Sequence, residues 1–417
     1  MKNKTLGALA AMFLLFCPSA PAQSATAKDA GQAINAFALD LYNQARSEPG
    51  NIFFFPYSIS GCMAMAYAGA KTTTAEEIAG VMHYACGQNI HPGFKALNET
   101  LNQAAAFGDI ELNIANSLWA EQSFDFYHQY LELVKINYAN ALEKVDFKHD
   151  YEQVRIRINS WVEEKTKRRI KDLLPGGSLN DQAHLVLTNA IYFKGKWAAE
   201  FKKEDTKDMP FYLTPDNPIN ATMMTQNREY AYKETNDVQI LALPYRGEKL
   251  SMVVILPKEK NGINAVENAL DSGKLNDLIT LPDSRKVIVY LPKFKTAPEI
   301  PLKKSLVSLG MKETFSNTRA DFSGMANVEK GVLYIGDIFH KAFVEVNEEG
   351  TEAAAATGEA LMHTDSESVF FQADHPFIFV IKDNTTNTIL FMGRVSDPGI
   401  NHEAGMGAAK LRWTKLR

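Results

Sequence analysis

Most of the short signatures of catalysis are missing from this chain. It has no GxSxG, no GxxxxGK[ST], no HExxH, no CxxC and no GxGxxG. Its nine histidines are scattered, with none at metal-ligand spacing, so no metal and no cofactor is expected. Ser, His and Asp are all present, but no local context singles out a nucleophile, and the chain does not read as an enzyme. Cysteine is scarce, with three in 417 residues, so the fold does not depend on disulfides. Cys62 lies in the apolar run SGCMAMAYAGA and reads as a packed core residue, with a Cys62–Cys86 disulfide left open. No basic excess exists either: the formal net charge is −5, which argues against a nucleic-acid partner. After the first residues, no stretch is apolar and long enough to span a membrane.

What is present begins with a leader. Lys2 and Lys4 precede the apolar run Leu6 to Phe16, and Ala20-Pro21-Ala22 fits a signal-peptidase site. The expectation is a signal peptide over residues 1–22 and a secreted protein, extracellular or periplasmic. Phe16 stands where a lipid-anchor signal wants a small residue, which argues against lipidation of Cys17. Without the leader, 42 basic and 49 acidic residues remain, a formal charge of −7. Residues 401–417 form a basic tail.

Periodicity then predicts a mixture of helices and strands. Helical spacing is expected over Ala30 to Ala45, after Ser58 as a cap, after Thr74, over Phe124 to Ile136 and over Tyr151 to Lys167. Ile263 to Leu281 reads as a helix broken near Gly273, and Leu302 to Leu309 as one ending at Gly310. Strands are expected at Asn51–Phe55, Glu111–Ala120, Val238–Pro244, Leu250–Pro257, Lys286–Phe294, Phe377–Ile381 and Thr388–Gly393. Leu185 to Phe193 is almost continuously apolar, as a central strand covered on both faces should be. The charges between Glu163 and Arg169 read as a solvated face. The basic run Lys165 to Lys171 is a weak candidate for an anionic cofactor site.

The most unusual stretch is His340 to Thr357, HKAFVEVNEEGTEAAAAT. Its first half alternates like a strand through Asn347. A polar break, Glu348-Glu349-Gly350, follows, and then a run without one bulky side chain. Thr and Ala make a poor core strand and a poor linker. An Ala-rich surface helix is one reading of the run. The other is a segment whose small side chains slide between packed strands.

The flanking sequence favours the second reading. The segment resembles the hinge of the serpins, the serine protease inhibitor superfamily. The match extends to HPFIFVIKDNTTNTILFMGRVSDP (His375–Pro398), LTNAIYFKGKW (Leu187–Trp197) and NIFFFPYSIS (Asn51–Ser60), in the family's order and roughly its spacing. The leader makes this chain resemble a bacterial-type secreted member. The resemblance implies an α+β serpin fold over residues 23–400, with three β-sheets, about nine helices and an exposed reactive-centre loop at about 348–374.

The resemblance also implies a mechanism: suicide inhibition of serine endopeptidases, with cysteine endopeptidases as a second class. A protease cleaves the loop, and the freed hinge inserts into the main sheet while still tethered to the acyl-enzyme. The implied hinge is Gly350, Thr351, Glu352, Ala353, Ala354, Ala355, Ala356 and Thr357. With Thr351 as the first inward residue, the buried set is Thr351, Ala353, Ala355 and Thr357, all small and uncharged. Bulky, charged or proline hinge residues, common in non-inhibitory serpins, do not occur there. A non-inhibitory serpin (a binding, chaperone or storage protein) is the alternative.

Ser58, Asn189 and His340 match the family's polar shutter beneath the sheet. Trp197, Lys293 and Glu348 match the breach where insertion begins, with an ion pair expected between Lys293 and Glu348. For the reactive bond, counting from Glu348 gives cleavage after Thr364, and counting back from Pro376 gives cleavage after Asp365. The segment lacks Arg and Lys, so the expected target has a small or apolar primary pocket, as elastase- and subtilisin-like proteases do. A trypsin-like pocket would want a cation. The protein is expected to be a monomer.

Overall fold

In a computed structural model, the described residues are 23–85, 88–107, 110–138, 142–281, 284–298, 300–351 and 368–400. The expected signal peptide, residues 401–417, Cys86 and the segment 352–367 lie outside them, and with that segment the expected bond at Thr364 or Asp365. Among the described residues are nine α-helices and three hydrogen-bonded sheets of two, six and nine strands, an α+β architecture.

Aliphatic strands build the six-stranded sheet. Its order is Phe294–Thr296, Ile335–Asn347, Gly350–Thr351, Leu185–Lys196, Glu111–Glu121 and Glu143–Val145. Both faces of the 185–196 strand are covered, which explains its nearly unbroken apolar sequence. Leu185, Leu187, Ile191 and Phe193 face the main core, with helix Pro56–Tyr67 and the nine-stranded sheet. Val186, Ala190 and Tyr192 point the other way, into a second core under helix Phe147–Lys165 and the segment through Leu174 and Leu179.

The nine-stranded sheet bends around one long strand, Asn217–Glu234. Its start pairs with Lys207–Thr214, its middle with Ser284–Pro292 and its end with Val238–Pro244. The hairpin Phe377–Asp383 and Ile389–Val395 continues this sheet to Ile52–Phe54.

Several local expectations shift. Ser58 does not cap a helix: Pro56 opens that helix, where its missing N–H costs nothing, and Ser58 lies inside the first turn. Thr74 likewise falls inside helix Thr72–Val81, and its hydroxyl accepts from the Asp321 amide. The helix expected from Phe124 starts at His128, because Phe126 bridges to Ala326 instead. The helix expected from Tyr151 starts earlier, at Phe147, capped by Asp146 and by Glu121, whose carboxylate accepts from the Phe147 amide. Helix His91–Phe107 and the strand Asn217–Glu234 went unread in the sequence. Cys62 is a buried free thiol, held near pKa 12 by burial. Gly310 ends its helix at φ 121°, as expected.

Candidate functional site

The two central strands of the six-stranded sheet are paired directly along only part of their length. From Ile335–Leu185 to Phe343–Tyr192 they run parallel and side by side. Beyond that point they part. After Asn347 the chain turns back through Glu348-Glu349 and wedges Gly350-Thr351 between them. Thr351 pairs with Val346 on one side and Gly195 on the other; Gly350 pairs with Asn347 and Lys196. The wedge is a two-residue strand, antiparallel to both of its neighbours.

Shape and sequence fix that wedge. Gly350 has φ 148°, a backbone that side chains disfavour. A Cβ there would lie 2.1 Å from the Gly195 carbonyl oxygen. Thr351 is fully buried, and its hydroxyl lies 2.9 Å from that of Tyr245. Tyr245 stacks on Trp197 at 4.8 Å between ring centres. The Trp197 indole N–H donates to the Asn347 carbonyl at 3.0 Å, and its backbone amide donates to the Glu349 carbonyl at 3.0 Å.

Two carboxylates close the turn. Glu348 is only 5% exposed and takes Lys293 Nζ at 2.9–3.0 Å. Burial alone would raise this carboxyl, but hydrogen bonding and the charge of Lys293 hold it below the ordinary value. Glu349 is paired with Lys203 at 2.8 Å. Hydrogen bonding to Glu349 raises the lysine.

Beneath the closed part of the seam lies a polar cluster in an otherwise apolar layer. His340 and Asn189 are register partners across the seam. His340 Nδ1 donates to Asn189 Oδ1 at 2.5 Å, and Asn189 Nδ2 donates to Ser58 Oγ at 2.7 Å and to Asn116 Oδ1 at 3.1 Å. Ser58 in turn donates to Asn116 Oδ1. The cluster thus joins helix 56–67, strand 111–121 and both central strands. Burial depresses the His340 imidazole to about pKa 3, so it is neutral, and its Nε2 has no partner among the described residues.

The sequence-nominated residues thus fall into two groups. Trp197, Lys293, Glu348, Gly350 and Thr351 meet at the parted end. Ser58, Asn189 and His340 meet in the polar cluster, and Glu352 to Thr357 lie outside the described residues. Sequence reasoning missed Asn116, Tyr245, Lys203 and Glu349. Asn116 carried a readable signal: it interrupts the apolar face Ile114–Leu118–Ala120 of an alternating strand. Tyr245 and Lys203 carried none, being brought in by tertiary structure.

Comparisons with known proteins agree with this geometry. A family model described as Serpin (serine protease inhibitor) matches residues 32–398. The leukocyte elastase inhibitor of Xenopus tropicalis is 40% identical over 370 residues, covering 87% of this chain and 97% of that protein. An uncharacterized serpin-like protein of Thermococcus kodakarensis is 40% identical over 371 residues, covering 88% and 85%. The 2.1 Å structure of a tumour suppressing serpin superposes with a TM-score of 0.80 at 32% identity, covering 89% of this chain and all of that one.

Proposed function

This chain belongs to the serpin family, and on that premise we propose that it is an irreversible, suicide-type inhibitor of serine endopeptidases with small or apolar primary pockets, acting as a monomer outside the cytoplasm. Export is supported by the leader, Lys2 and Lys4 before Leu6–Phe16 and Ala20-Pro21-Ala22. The target class is supported by a loop without Arg or Lys around Thr364 and Asp365, and by relatives named for elastase inhibition.

One observation carries the mechanism: the hinge is already started in the sheet, and the strands below it are closed. Cleavage frees the chain after Thr351 to continue as a strand. Continuing the register puts Ala353 between Phe193 and Val344, Ala355 between Ile191 and Ala342, and Thr357 between Asn189 and His340. Each insertion step separates one parallel pair by a strand spacing of about 4.8 Å and replaces it with two antiparallel ladders. Thr351 faces the main core, so its alternates Ala353 and Ala355 would enter an apolar layer, for which their size suits them. Glu352, Ala354, Ala356 and Gly358 would meet the second core.

In this reading the Glu348–Lys293 pair and the Trp197–Tyr245 stack hold the breach, and Ser58, Asn189 and His340 hold the shutter. The protease rides on the inserting chain and is distorted before deacylation. The test is incubation of the mature chain with an elastase-like protease. The expected result is an SDS-stable complex near the summed masses and a released peptide beginning at Asp365 or Ser366. Thr351→Arg, which drives a charge into the Tyr245 pocket, should convert the inhibitor to a substrate. If that variant inhibited normally, insertion could not be the mechanism. If the native chain is cut cleanly and melts no higher afterwards, it is a non-inhibitory serpin.

A further inference from the structure

We propose that the groove between the 172–175 segment and helix Leu302–Leu309 binds an amphipathic carboxylate, an alkyl chain with one anionic head, and that its occupant holds the six-stranded sheet closed. The binding half stands on the groove alone; the closing half rests on the insertion reading above.

The groove encloses about 620 Å³, within the range of small-molecule sites. Leu173 and Pro175 form one wall, Leu302 and Val307 the other, and Phe339 lies between them. Three cations stand at its rim: Lys303, Lys304 and Lys341. Two of them are held by neutral acceptors. Lys303 Nζ donates to the Gly336 carbonyl at 2.5 Å and Lys341 Nζ to the Lys171 carbonyl at 3.5 Å. Carbonyls fix a cation in place but leave its charge uncancelled. Asp172 and Asp337 also line the rim, and Asp337 already accepts from the Ile338 amide. Among the described residues neither forms a salt bridge with a rim lysine. The balance favours a single negative head over a neutral or cationic one, and the apolar walls favour a chain behind it.

The two walls belong to opposite sides of the seam. The 172–175 segment is tied to helix 147–165, where Asn159 exchanges two 2.9 Å hydrogen bonds with the Leu174 backbone. Arg169, just before it, sits 5.8 Å over the ring of Tyr192 on the 185–196 strand. Helix 302–309 and Phe339 travel with the 335–347 strand. Insertion must move these two groups apart by about one strand spacing. A chain packed against both walls resists that movement. The protein's own tail is a poor occupant for this rim, since Lys410, Arg412, Lys415 and Arg417 would be brought against lysines.

The experiment uses decanoate, with dodecylammonium as the control of opposite charge. Calorimetry on the intact chain should show one decanoate site. Val307→Trp, which fills the groove, and the Lys304→Glu/Lys341→Glu variant should each weaken it about tenfold or more. Decanoate binding undiminished in both variants, or matched by dodecylammonium, would overturn the site. So would much tighter binding to a chain ending at Ile400, which would make the tail the occupant. The second readout is the rate at which loop-cleaved protein acquires high thermal stability, expected to fall several-fold in saturating decanoate. An unchanged rate overturns the closing half and leaves the site. A cleaved chain that never gains stability, even without decanoate, counts against insertion itself, while the calorimetry still decides the site.

Discussion

The hydroxyls of Tyr245 and Thr351 lie 2.9 Å apart with both residues fully buried, joining the rim of the nine-stranded sheet to the two-residue strand inside the six-stranded one. Burial pushes the phenol well above its ordinary pKa, so it stays protonated and able to donate. The bond ties Thr351 to the Tyr245 pocket. A double-mutant cycle of Tyr245→Phe and Thr351→Val, read by denaturant unfolding of uncleaved protein, should give a coupling of about 1 kcal/mol. Additive effects would mean that each hydroxyl is satisfied elsewhere.

Gly350 should tolerate no side chain. Its φ of 148° is unfavourable to any other residue, and the added Cβ meets the Gly195 backbone rather than a movable side chain. Backbone strain of this kind costs about 1–3 kcal/mol before any clash is counted. Gly350→Ala is expected to expel the two-residue wedge. The amide of Trp197, which donates to the Glu349 carbonyl, should then exchange its hydrogen much faster. Unaltered exchange there with normal inhibition would show that the wedge is dispensable.

How much of this was legible beforehand differs by residue. The strands Val238–Pro244 and Leu250–Pro257 and the helix Leu302–Leu309 were read to the residue, because apolar periodicity and a terminal glycine bound them tightly. Asn217–Glu234 was missed because it changes partners twice and its exposed and buried residues do not alternate regularly, so no single period governs it. Ser58 was misread as a cap, since a serine before an apolar helix signals one whether or not its hydroxyl is needed elsewhere. Its meeting with Asn189 and His340 came only from the family resemblance, as did that of Lys293 with Glu348. No local pattern brings together residues 55 positions apart, as Lys293 and Glu348 are, or 131 and 151 apart, as Ser58 and His340 are from Asn189. The placing of Gly350-Thr351 between two strands was not legible at all: it is a competition between pairings, settled by the Tyr245 pocket and the Gly195 backbone.

His340 should make the closed sheet sensitive to acid. Its imidazole is held near pKa 3 by burial, well below its ordinary value of 6.5. The unfolded chain therefore takes up a proton as the pH falls through about 6.5, while the folded one does not until near 3. Stability from this group is complete above about pH 6.5 and falls by roughly 1.4 kcal/mol per pH unit below it. His340→Gln, which can still donate to Asn189, should remove about one proton's worth of slope between pH 6 and 5 in urea-unfolding measurements. Equal slopes in the two proteins would mean that the histidine is reached by solvent or charged in the fold.

On the insertion proposed above, Thr357 is the hinge residue with the most to do late. The register that seats Thr351 carries Thr357 to the pair Asn189 and His340, whose 2.5 Å hydrogen bond must break for a strand to pass. Alanine there would leave two buried polar groups facing a methyl. A hydroxyl can accept from His340 Nδ1 and donate to Asn189 Oδ1, so the bond that closed the native sheet is replaced by two in the expanded one. Thr357→Val keeps the shape and removes only that exchange. The cleaved, inserted form should lose about 1–3 kcal/mol, the cost of unsatisfied buried partners. The uncleaved form, whose shutter is closed by His340 and Asn189 directly, should unfold as before. Unfolding of both forms in guanidinium measures the difference. A loss shared equally by cleaved and uncleaved protein would show that Thr357 acts before insertion, and the register extended from Gly350 and Thr351 would then be wrong.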